Sequence, residues 1–233
     1  MIDVDYPGRF GNHLFCYAFA RLMAEDHNEP YCMSLPDTGV LHSNDAKMSQ
    51  RPPFAPVMIQ EDFKNREWAI PALIPGDFVK YTGYFQRWEY YEGNRDRVRG
   101  FFHLPETYPT DPKEVCLHVR LTDYHEVGLL RDPTVYASII DKIYDGKLYI
   151  VTDDYKDPYL DYFKKRYANV SIVSNTAAED FSTLMSFEKI VASNSTFSWW
   201  AAYLGVSKNP YIPMEFGAGV GVAVDIYKLG TGF

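Results

Sequence analysis

The residues best suited to chemistry lie in the middle of the chain, at residues 115–124. This stretch begins as an apolar run that contains His118, and Arg120 follows two positions later. If the run is a strand, its alternation places both side chains on one side. An arginine at the carboxyl end of a strand in an α/β sheet suits a phosphate, because its fork makes two parallel charge-assisted hydrogen bonds. Asp123 and Tyr124 follow in a loop, and the alternative is a merely solvated strand end.

Two other apolar stretches, residues 148–151 and 190–192, also end in polar residues. These polar residues are Thr152, Asp153 and Asp154 after the first stretch, and Asn194, Ser195 and Thr196 after the second. Carboxyl ends of parallel strands share one edge, so we expect these groups to lie near Arg120. Hydroxyls at the start of the last helix suit a phosphate, and an aspartate can accept from a base or a ribose. The pattern predicts a nucleotide site without a P-loop and without metal-ligand spacing, although the two aspartates are as well explained as helix caps.

A glycine-bearing loop near the N-terminus leads into a stretch with helical apolar spacing. Gly8 and Gly11 flank the loop, and Asn12 and His13 follow at the predicted start of the helix. Backbone amides at such a helix start can face an anion. The alternative is a tight turn in which the glycines only relieve strain.

The order of elements predicts an α/β protein. Residues 77–85 are predicted to be a strand leading into a loop, and residues 86–102 a charged helix. From residue 115 onward strands and helices alternate, which predicts a parallel sheet covered by helices, with a last strand at residues 210–213. The proline-rich stretch at residues 104–112 resembles a linker, so we predict an N-terminal lobe at residues 1–105 and a C-terminal lobe at residues 106–233.

Composition limits the possible partners and compartments. The chain has 233 residues and a formal charge of −8, which argues against a nucleic-acid partner held by bulk electrostatics. Its cysteines, Cys16, Cys32 and Cys116, show no pairing pattern, and the N-terminus has no secretion signal. No apolar run approaches the length of a membrane span. We therefore expect reduced thiols, no membrane anchor and a cytoplasmic location.

Three segments together resemble the α-1,2-fucosyltransferase family and the related protein O-fucosyltransferases. Residues 8–18 (GRFGNHLFCYA) are similar to the family motif G-x-G-N-Q-x-F-x-Y-A, residues 118–124 (HVRLTDY) to H-x-R-x-x-D-Y, and residues 193–202 (SNSTFSWWAA) match almost throughout. The motifs occur in the expected order over most of the chain. Departures are His13 in place of glutamine and Leu121-Thr122 in place of a basic residue and glycine, which affect the donor sugar and the acceptor more than the reaction type.

The resemblance implies a GT-B fold: two Rossmann-like lobes with a cleft between them, the N-terminal lobe on the acceptor side. It implies metal-independent, inverting transfer of a sugar, most often L-fucose from GDP-fucose, to a glycan hydroxyl, with no cofactor. The resemblance implies these residue roles: Arg120 at the β-phosphate, His118 with Asp153 or Asp154 at the guanine or ribose, Ser195 and Thr196 with the amides near Phe197 at the diphosphate, and Asn12 at the cleft near the sugar or acceptor. Gly11 and Asn194 are also expected to bind the donor.

The identity of the base that accepts the proton stays open. Asp123, Glu126 and His13 are candidates by position. Two other functions also remain: a transferase of the same fold that uses another nucleotide sugar, such as rhamnose or xylose, and a carbohydrate- or nucleotide-binding protein without turnover.

Overall fold

The computed structural model describes residues 1–62, 69–207 and 210–211. These residues form two compact units, and the chain passes from the first to the second between Leu104 and Pro105. The predicted boundary between the two lobes lies between residues 105 and 106, one residue further along the chain. Of the predicted last strand, Pro210 and Tyr211 are described, and Tyr211 forms a parallel bridge with Val191. The rest of that strand and the glycine-rich tail lie outside the described residues.

The regular elements of the first unit are short apart from its first helix. In chain order they are β1 (Ile2–Val4), α1 (Phe10–Asp26), β2 (His42–Ser43), β3 (Val57–Gln60), β4 (Val79–Thr82), a 3-10 turn (Trp88–Tyr90), α2 (Arg95–Arg99) and β5 (Phe102–His103). The first sheet has the order β1-β4-β3, and both of its pairings are parallel. A separate antiparallel pair joins β2 to β5. The helix predicted after the N-terminal glycine loop is confirmed as α1, and β1 precedes the loop.

The predicted helix over residues 86–102 is wrong. The structure has instead the 3-10 turn at Trp88–Tyr90 and the five-residue helix α2, and the stretch ends in β5. Gly93 lies between them with φ +73°, in the left-handed region, which ends any right-handed helix at that point. The charge pattern of the stretch was compatible with one helix, but its glycine interrupts the backbone.

The second unit is a parallel sheet with helices on its faces, as predicted. Its elements are β6 (Val115–Val119), α3 (Pro133–Ile143), β7 (Leu148–Thr152), a 3-10 turn (Pro158–Leu160), α4 (Asp161–Arg166), β8 (Val170–Val173), α5 (Ala177–Met185), β9 (Lys189–Val191) and α6 (Thr196–Leu204). The sheet order is β8-β7-β6-β9, and every pairing is parallel. Asp132 caps α3, since its carboxylate accepts from the Thr134 amide at 2.9 Å, with Pro133 in the first turn.

The register of this sheet brings its strand ends level. Val119 pairs with Thr152, and Val151 pairs with Val173, so the residues that follow β6, β7 and β8 emerge at one edge. On one face of the sheet, alternate strand residues pack with α3 and α4 in a buried apolar cluster. On the other face α5 and α6 pack together, and Trp199 and Trp200 of α6 are fully buried, so both rings have a packing role.

No helix in residues 1–62, 69–207 and 210–211 is long and apolar enough to cross a membrane.

Candidate functional site

The carboxyl edge of the second sheet contains a cavity of about 270 Å³. Its lining residues come from the ends of β6, β7 and β8 and from the starts of α5 and α6; they are His118, Arg120, Thr152, Asp153, Ser174, Asn175, Ala177, Asp180, Ser195 and Phe197. The structure therefore brings together groups that follow β6, β7 and β9, the three strand ends that the sequence predicted to meet. Two nine-residue helices begin beside the cavity, and their dipoles favour a negative charge there.

Arg120 is held in a two-pronged ion pair just beyond the end of β6. Its Nε donates to Asp123 Oδ1 at 2.6 Å and its Nη2 donates to Asp123 Oδ2 at 2.7 Å. Its guanidinium carbon lies 5.3 Å from the centre of the Tyr124 ring. The hydroxyl of Tyr124 in turn donates to the Asn194 carbonyl at 3.1 Å. This arrangement fixes the guanidinium plane and leaves Nη1 without a hydrogen-bond partner in the described part of the chain, so Nη1 is free to bind an anion in the cavity.

His118 is a neutral polar group in the cavity wall. Its side chain is 6% exposed, its Nδ1 lies 2.8 Å from the Ser193 hydroxyl, and its ring packs at 5.5 Å from the ring of Phe197. Burial lowers the pKa of His118 to about 4, and the Arg120 charge acts in the same direction. The uncharged ring can therefore offer Nε2 to a ligand at neutral pH without adding a charge to the site.

A prediction for folding stability follows from this shift. A histidine with a pKa of about 4 in the folded state and 6.5 in the unfolded state binds more protons when unfolded, so the free energy of unfolding should fall as the pH drops through this window. The full contribution is about 3 kcal/mol, at about 1.36 kcal/mol for each pKa unit.

Denaturant unfolding of His118→Asn and of the wild type, repeated from pH 7 to pH 4, measures this contribution. The difference between the two proteins should be constant near pH 7 and change in favour of the variant as the pH falls. His103→Gln removes an exposed histidine and serves as the control. A constant difference over the whole range would contradict the neutral, buried state of His118.

The two aspartates after β7 occupy different places. Asp153 lines the cavity, and its Oδ1 accepts from the Leu121 amide at 2.7 Å while its Oδ2 accepts from the Thr122 hydroxyl at 2.6 Å. Asp153 therefore braces the loop that carries Arg120. Asp154 lies outside the cavity lining and accepts from the Lys156 amide at 2.9 Å, as a turn cap does. The contacts of Asp154 are therefore those of a cap, which was the alternative interpretation. Its predicted role in binding the sugar donor stays a prediction.

The polar run before α6 is similarly divided. Ser195 caps the helix, because its hydroxyl accepts from the Phe197 amide at 3.3 Å, and both residues line the cavity. Thr196 is the first residue of α6 and is partly exposed. Asn194 is only 8% exposed, and its Nδ2 donates to the Leu129 carbonyl at 2.8 Å. Asn194 therefore anchors the loop that follows β6, and Asn194 does not line the cavity.

Sequence reasoning missed the groups that follow β8. Ser174, Asn175 and Asp180 line the cavity. Asp180 lies in the first turn of α5, is 7% exposed and accepts from the Asn175 amide at 3.1 Å. Burial raises the pKa of Asp180, and the nearby Asp153 charge raises it further. The available signal was the polar run at residues 174–176, directly after the short apolar run at residues 170–173.

The site residues predicted in the first unit lie around the start of α1. Gly11 is buried in the first turn, and the Asn12 side chain accepts from Gln86 Nε2 at 2.8 Å. The ring of His13 places Nε2 at 3.1 Å from the Gly8 carbonyl, and its Nδ1 is buried without a partner. Their roles in catalysis stay predictions.

Within the described ranges, no group of three or more His, Cys, Asp or Glu side chains is placed to hold a metal ion. The metal-independent chemistry implied by the resemblance stays a prediction.

Solved structures identify the class of fold. A crystal structure of NodZ alpha-1,6-fucosyltransferase soaked with GDP-fucose superposes with a TM-score of 0.54, and one co-crystallised with GDP with a TM-score of 0.57. Each is 13% identical in sequence and covers 91% of this chain, and the matched share of the NodZ chain is 94% and 93% respectively. The protein has the α/β GT-B fold, as predicted.

Sequence comparisons narrow the class further. Residues 110–215, which include the whole cavity, match the model of Glycosyl transferase family 11. The chain is 25% identical to galactoside 2-alpha-L-fucosyltransferase Sec1 of Mus musculus and 24% identical to galactoside alpha-(1,2)-fucosyltransferase 2 of Rattus norvegicus, covering 91% of this chain in both cases. It spans 66% of the mouse protein and 69% of the rat protein. The resemblance predicted from the three motifs is confirmed.

Proposed function

We propose that this protein transfers L-fucose from GDP-fucose to a hydroxyl of a glycan acceptor, with inversion at the anomeric carbon. The observation that carries the proposal is the guanidinium of Arg120, fixed by Asp123 at a cavity where α5 and α6 begin. The family match over the same residues, and the NodZ structures obtained with GDP-fucose and with GDP, support the choice of donor.

The cavity offers complementary groups to each part of GDP. The Ser195 cap, the amides at the start of α6 and the free Nη1 of Arg120 suit the diphosphate. The buried carboxylate of Asp180 suits the base, because the Watson–Crick edge of guanine presents N–H donors. The neutral Nε2 of His118 suits a ribose hydroxyl. The cavity thus has one cation, two helix starts and two carboxylates, of which Asp153 is bonded to the neighbouring loop and Asp180 is assigned to the base. This set of groups matches a negatively charged nucleotide with a donor-rich base.

The proposed reaction is a single displacement. The bond between the anomeric carbon and the β-phosphate oxygen breaks, the acceptor oxygen forms the new bond from the opposite face, and the acceptor proton passes to a base. Positive charge develops on the sugar and negative charge on the departing diphosphate. Arg120 stabilises this negative charge as it grows, so it lowers the barrier and does not merely tighten substrate binding.

The three candidates for the base that accepts the acceptor proton differ in their hydrogen bonds and exposure. Both oxygens of Asp123 accept hydrogen bonds from Arg120, so we assign Asp123 the role of orienting that guanidinium. His13 has an Nδ1 lone pair available when its Nε2 donates to the Gly8 carbonyl. Glu126 is exposed and also stays a candidate. Replacing each residue and comparing sugar transfer with donor hydrolysis distinguishes them, since loss of the base should slow transfer more than hydrolysis.

The test of the proposed function is release of GDP from GDP-fucose with and without acceptors. Because the curated relatives are named as galactoside fucosyltransferases, galactose-terminated oligosaccharides are the first acceptors to use. We expect acceptor-dependent GDP release and a fucosylated product with inverted configuration. Absence of turnover with every acceptor, despite stabilisation by GDP, would indicate a binding protein.

The donor can be tested independently of the acceptor. A bound nucleotide stabilises the folded state, so thermal unfolding with GDP, UDP and TDP ranks the three bases. We expect GDP to give the largest shift. A larger shift with UDP or TDP would favour a transferase for another nucleotide sugar, such as xylose or rhamnose.

The predicted cytoplasmic location remains a proposal. The proposal is supported by the three cysteines, which are free thiols. Cys16 and Cys116 are buried. Free thiols are usual in a reducing compartment.

A further inference from the structure

The turn that follows β4 in the first unit, Gly83 to Gln86, has an unusual backbone. Gly83 has φ +154° and Phe85 has φ +49°. The left-handed region is unfavourable for a bulky residue, so the surrounding structure must hold the turn in this conformation. Strain of this kind commonly occurs where a side chain or a backbone group is positioned for a ligand.

The group that holds this turn is the carboxylate of Glu61, which directly follows β3. A single oxygen, Oε2, accepts from the Tyr84 amide at 2.9 Å and from the Phe85 amide at 2.7 Å. The residue is only 3% exposed. A Cβ atom on Gly83 would lie 2.5 Å from the Glu61 Cβ and 2.7 Å from its Oε2, so only glycine allows this approach. The turn is therefore shaped around a buried negative charge.

Further contacts fix the carbonyls and the ring of the same turn. The Tyr91 hydroxyl lies 2.7 Å from the Phe85 carbonyl, and the Cys16 thiol lies 3.3 Å from the Gly83 carbonyl. The Phe85 ring stacks on Phe19 of α1 with the ring centres 4.1 Å apart. Two amides, two carbonyls and one ring of the turn are thus engaged, and the residue that follows Phe85 has a defined direction.

That residue is Gln86, and it contacts the other loop at the same edge of the first sheet. Its Nε2 donates to Asn12 Oδ1 at 2.8 Å. The Asn12 carboxamide in turn fills the space that a side chain on Gly8 would occupy, where the backbone has φ +81°. The pair lies beyond the carboxyl ends of β1 and β4, which is where α/β sheets bind ligands. Two adjacent carboxamides provide both donors and acceptors, which suits a sugar hydroxyl.

We propose that Glu61 is a positioning residue for a hydroxyl-bearing sugar acceptor: it holds the strained Gly83–Gln86 turn, and the turn orients the Asn12–Gln86 carboxamide pair that binds the sugar. The inference rests on the proposed function, since it assumes that the first unit receives an acceptor. It assigns a role to a residue that lies outside the three motifs.

The charge of Glu61 is the feature that matters for this role. Three titratable groups face it: the Cys16 thiol from α1, the Tyr90 hydroxyl from the 3-10 turn and the Arg87 guanidinium. Burial raises the pKa of both Cys16 and Tyr90, so these two are neutral. Burial also raises the pKa of Glu61, while the two amides and Arg87 act in the opposite direction. A buried carboxylate is costly unless its partners compensate for the lost water, and here the partners are the turn itself.

The test uses Glu61→Gln, which keeps the shape and removes the charge, Glu61→Asp, which keeps the charge, and Gly83→Ala, which distorts the turn directly. Glu29→Gln is the control, because Glu29 is also a paired carboxylate of the first unit, bound to the N-terminal ammonium at 2.8 Å before β1 begins. The measurements are KM for the acceptor, KM for GDP-fucose, kcat, and the pH profile of kcat/KM for the acceptor.

We expect Glu61→Gln and Gly83→Ala to raise the acceptor KM about tenfold or more, with KM for the donor and stabilisation by GDP within about twofold of wild type. Glu61→Asp should restore part of the loss, and the acid limb of the wild-type pH profile should weaken in Glu61→Gln. Glu29→Gln should leave both KM values unchanged. An unchanged acceptor KM in folded Glu61→Gln, or loss of the folded state in that variant, would overturn the inference while wild-type transfer persists. Absence of transfer by the wild type would overturn the proposed function as well.

Discussion

Replacing Arg120 with alanine is expected to lower the rate of sugar transfer by about 10²–10³-fold while the protein stays folded. Loss of one preorganised group that stabilises a developing charge typically has an effect of this size. The side chain lies at a cavity and not in the apolar core, so its removal should cost little stability. Transfer at saturating GDP-fucose and acceptor measures the effect on kcat, and thermal unfolding confirms that the variant is folded.

Arg166→Ala is the matched control for this experiment. Arg166 also forms an ion pair with an aspartate, Asp141, but at the surface of the same unit, away from the cavity. The Arg166→Ala substitution should leave kcat unchanged. Arg120→Lys should remain strongly impaired, because an ammonium cannot bind Asp123 through two parallel bonds and still present a planar fork to a phosphate. Near-normal turnover in folded Arg120→Ala would rule out its assignment to the leaving group.

The second large effect is expected at Asp180, which the sequence did not reveal as a site residue. Asp180→Asn replaces a buried acceptor with a group that presents N–H donors to the guanine edge, so we expect GDP binding to weaken about 10–100-fold. Binding of UDP should change far less, and discrimination between the two nucleotides should narrow. Because burial raises the pKa of Asp180, the affinity of the wild type for GDP should decline toward acid pH sooner than an ordinary carboxyl would allow.

Titration calorimetry with GDP and UDP measures both effects. Glu179→Gln is the control: Glu179 is the neighbouring carboxylate and completes the capping box with Thr176, so its loss weakens the helix start without removing the group that faces the base. Equal loss of GDP and UDP affinity in Asp180→Asn would indicate a general disturbance of the cavity, and the assignment of Asp180 to the base would be wrong.

Local patterns predicted most of the second unit correctly. The strands at β6, β7 and β8 are short apolar runs bounded by turn residues, and the caps at Asp132 and Ser195 depend on neighbours within a few positions. Parallel pairing with level ends followed from alternation of strands and helices. By contrast, the stretch at residues 86–102 had helical composition, and a single glycine with positive φ divided it.

The sequence by itself determined the class of protein, because three motifs in a fixed order are specific and strand alternation is a local property. It also determined that Arg120 lies at a strand end. Only the tertiary structure decided which carboxylates serve which purpose: Asp123 binds Arg120, Asp153 braces the loop, Asp180 enters the cavity and Glu61 shapes a distant turn. The physical reason is that a carboxylate's role depends on its burial and on the donors it meets, and packing between residues far apart in the chain sets both.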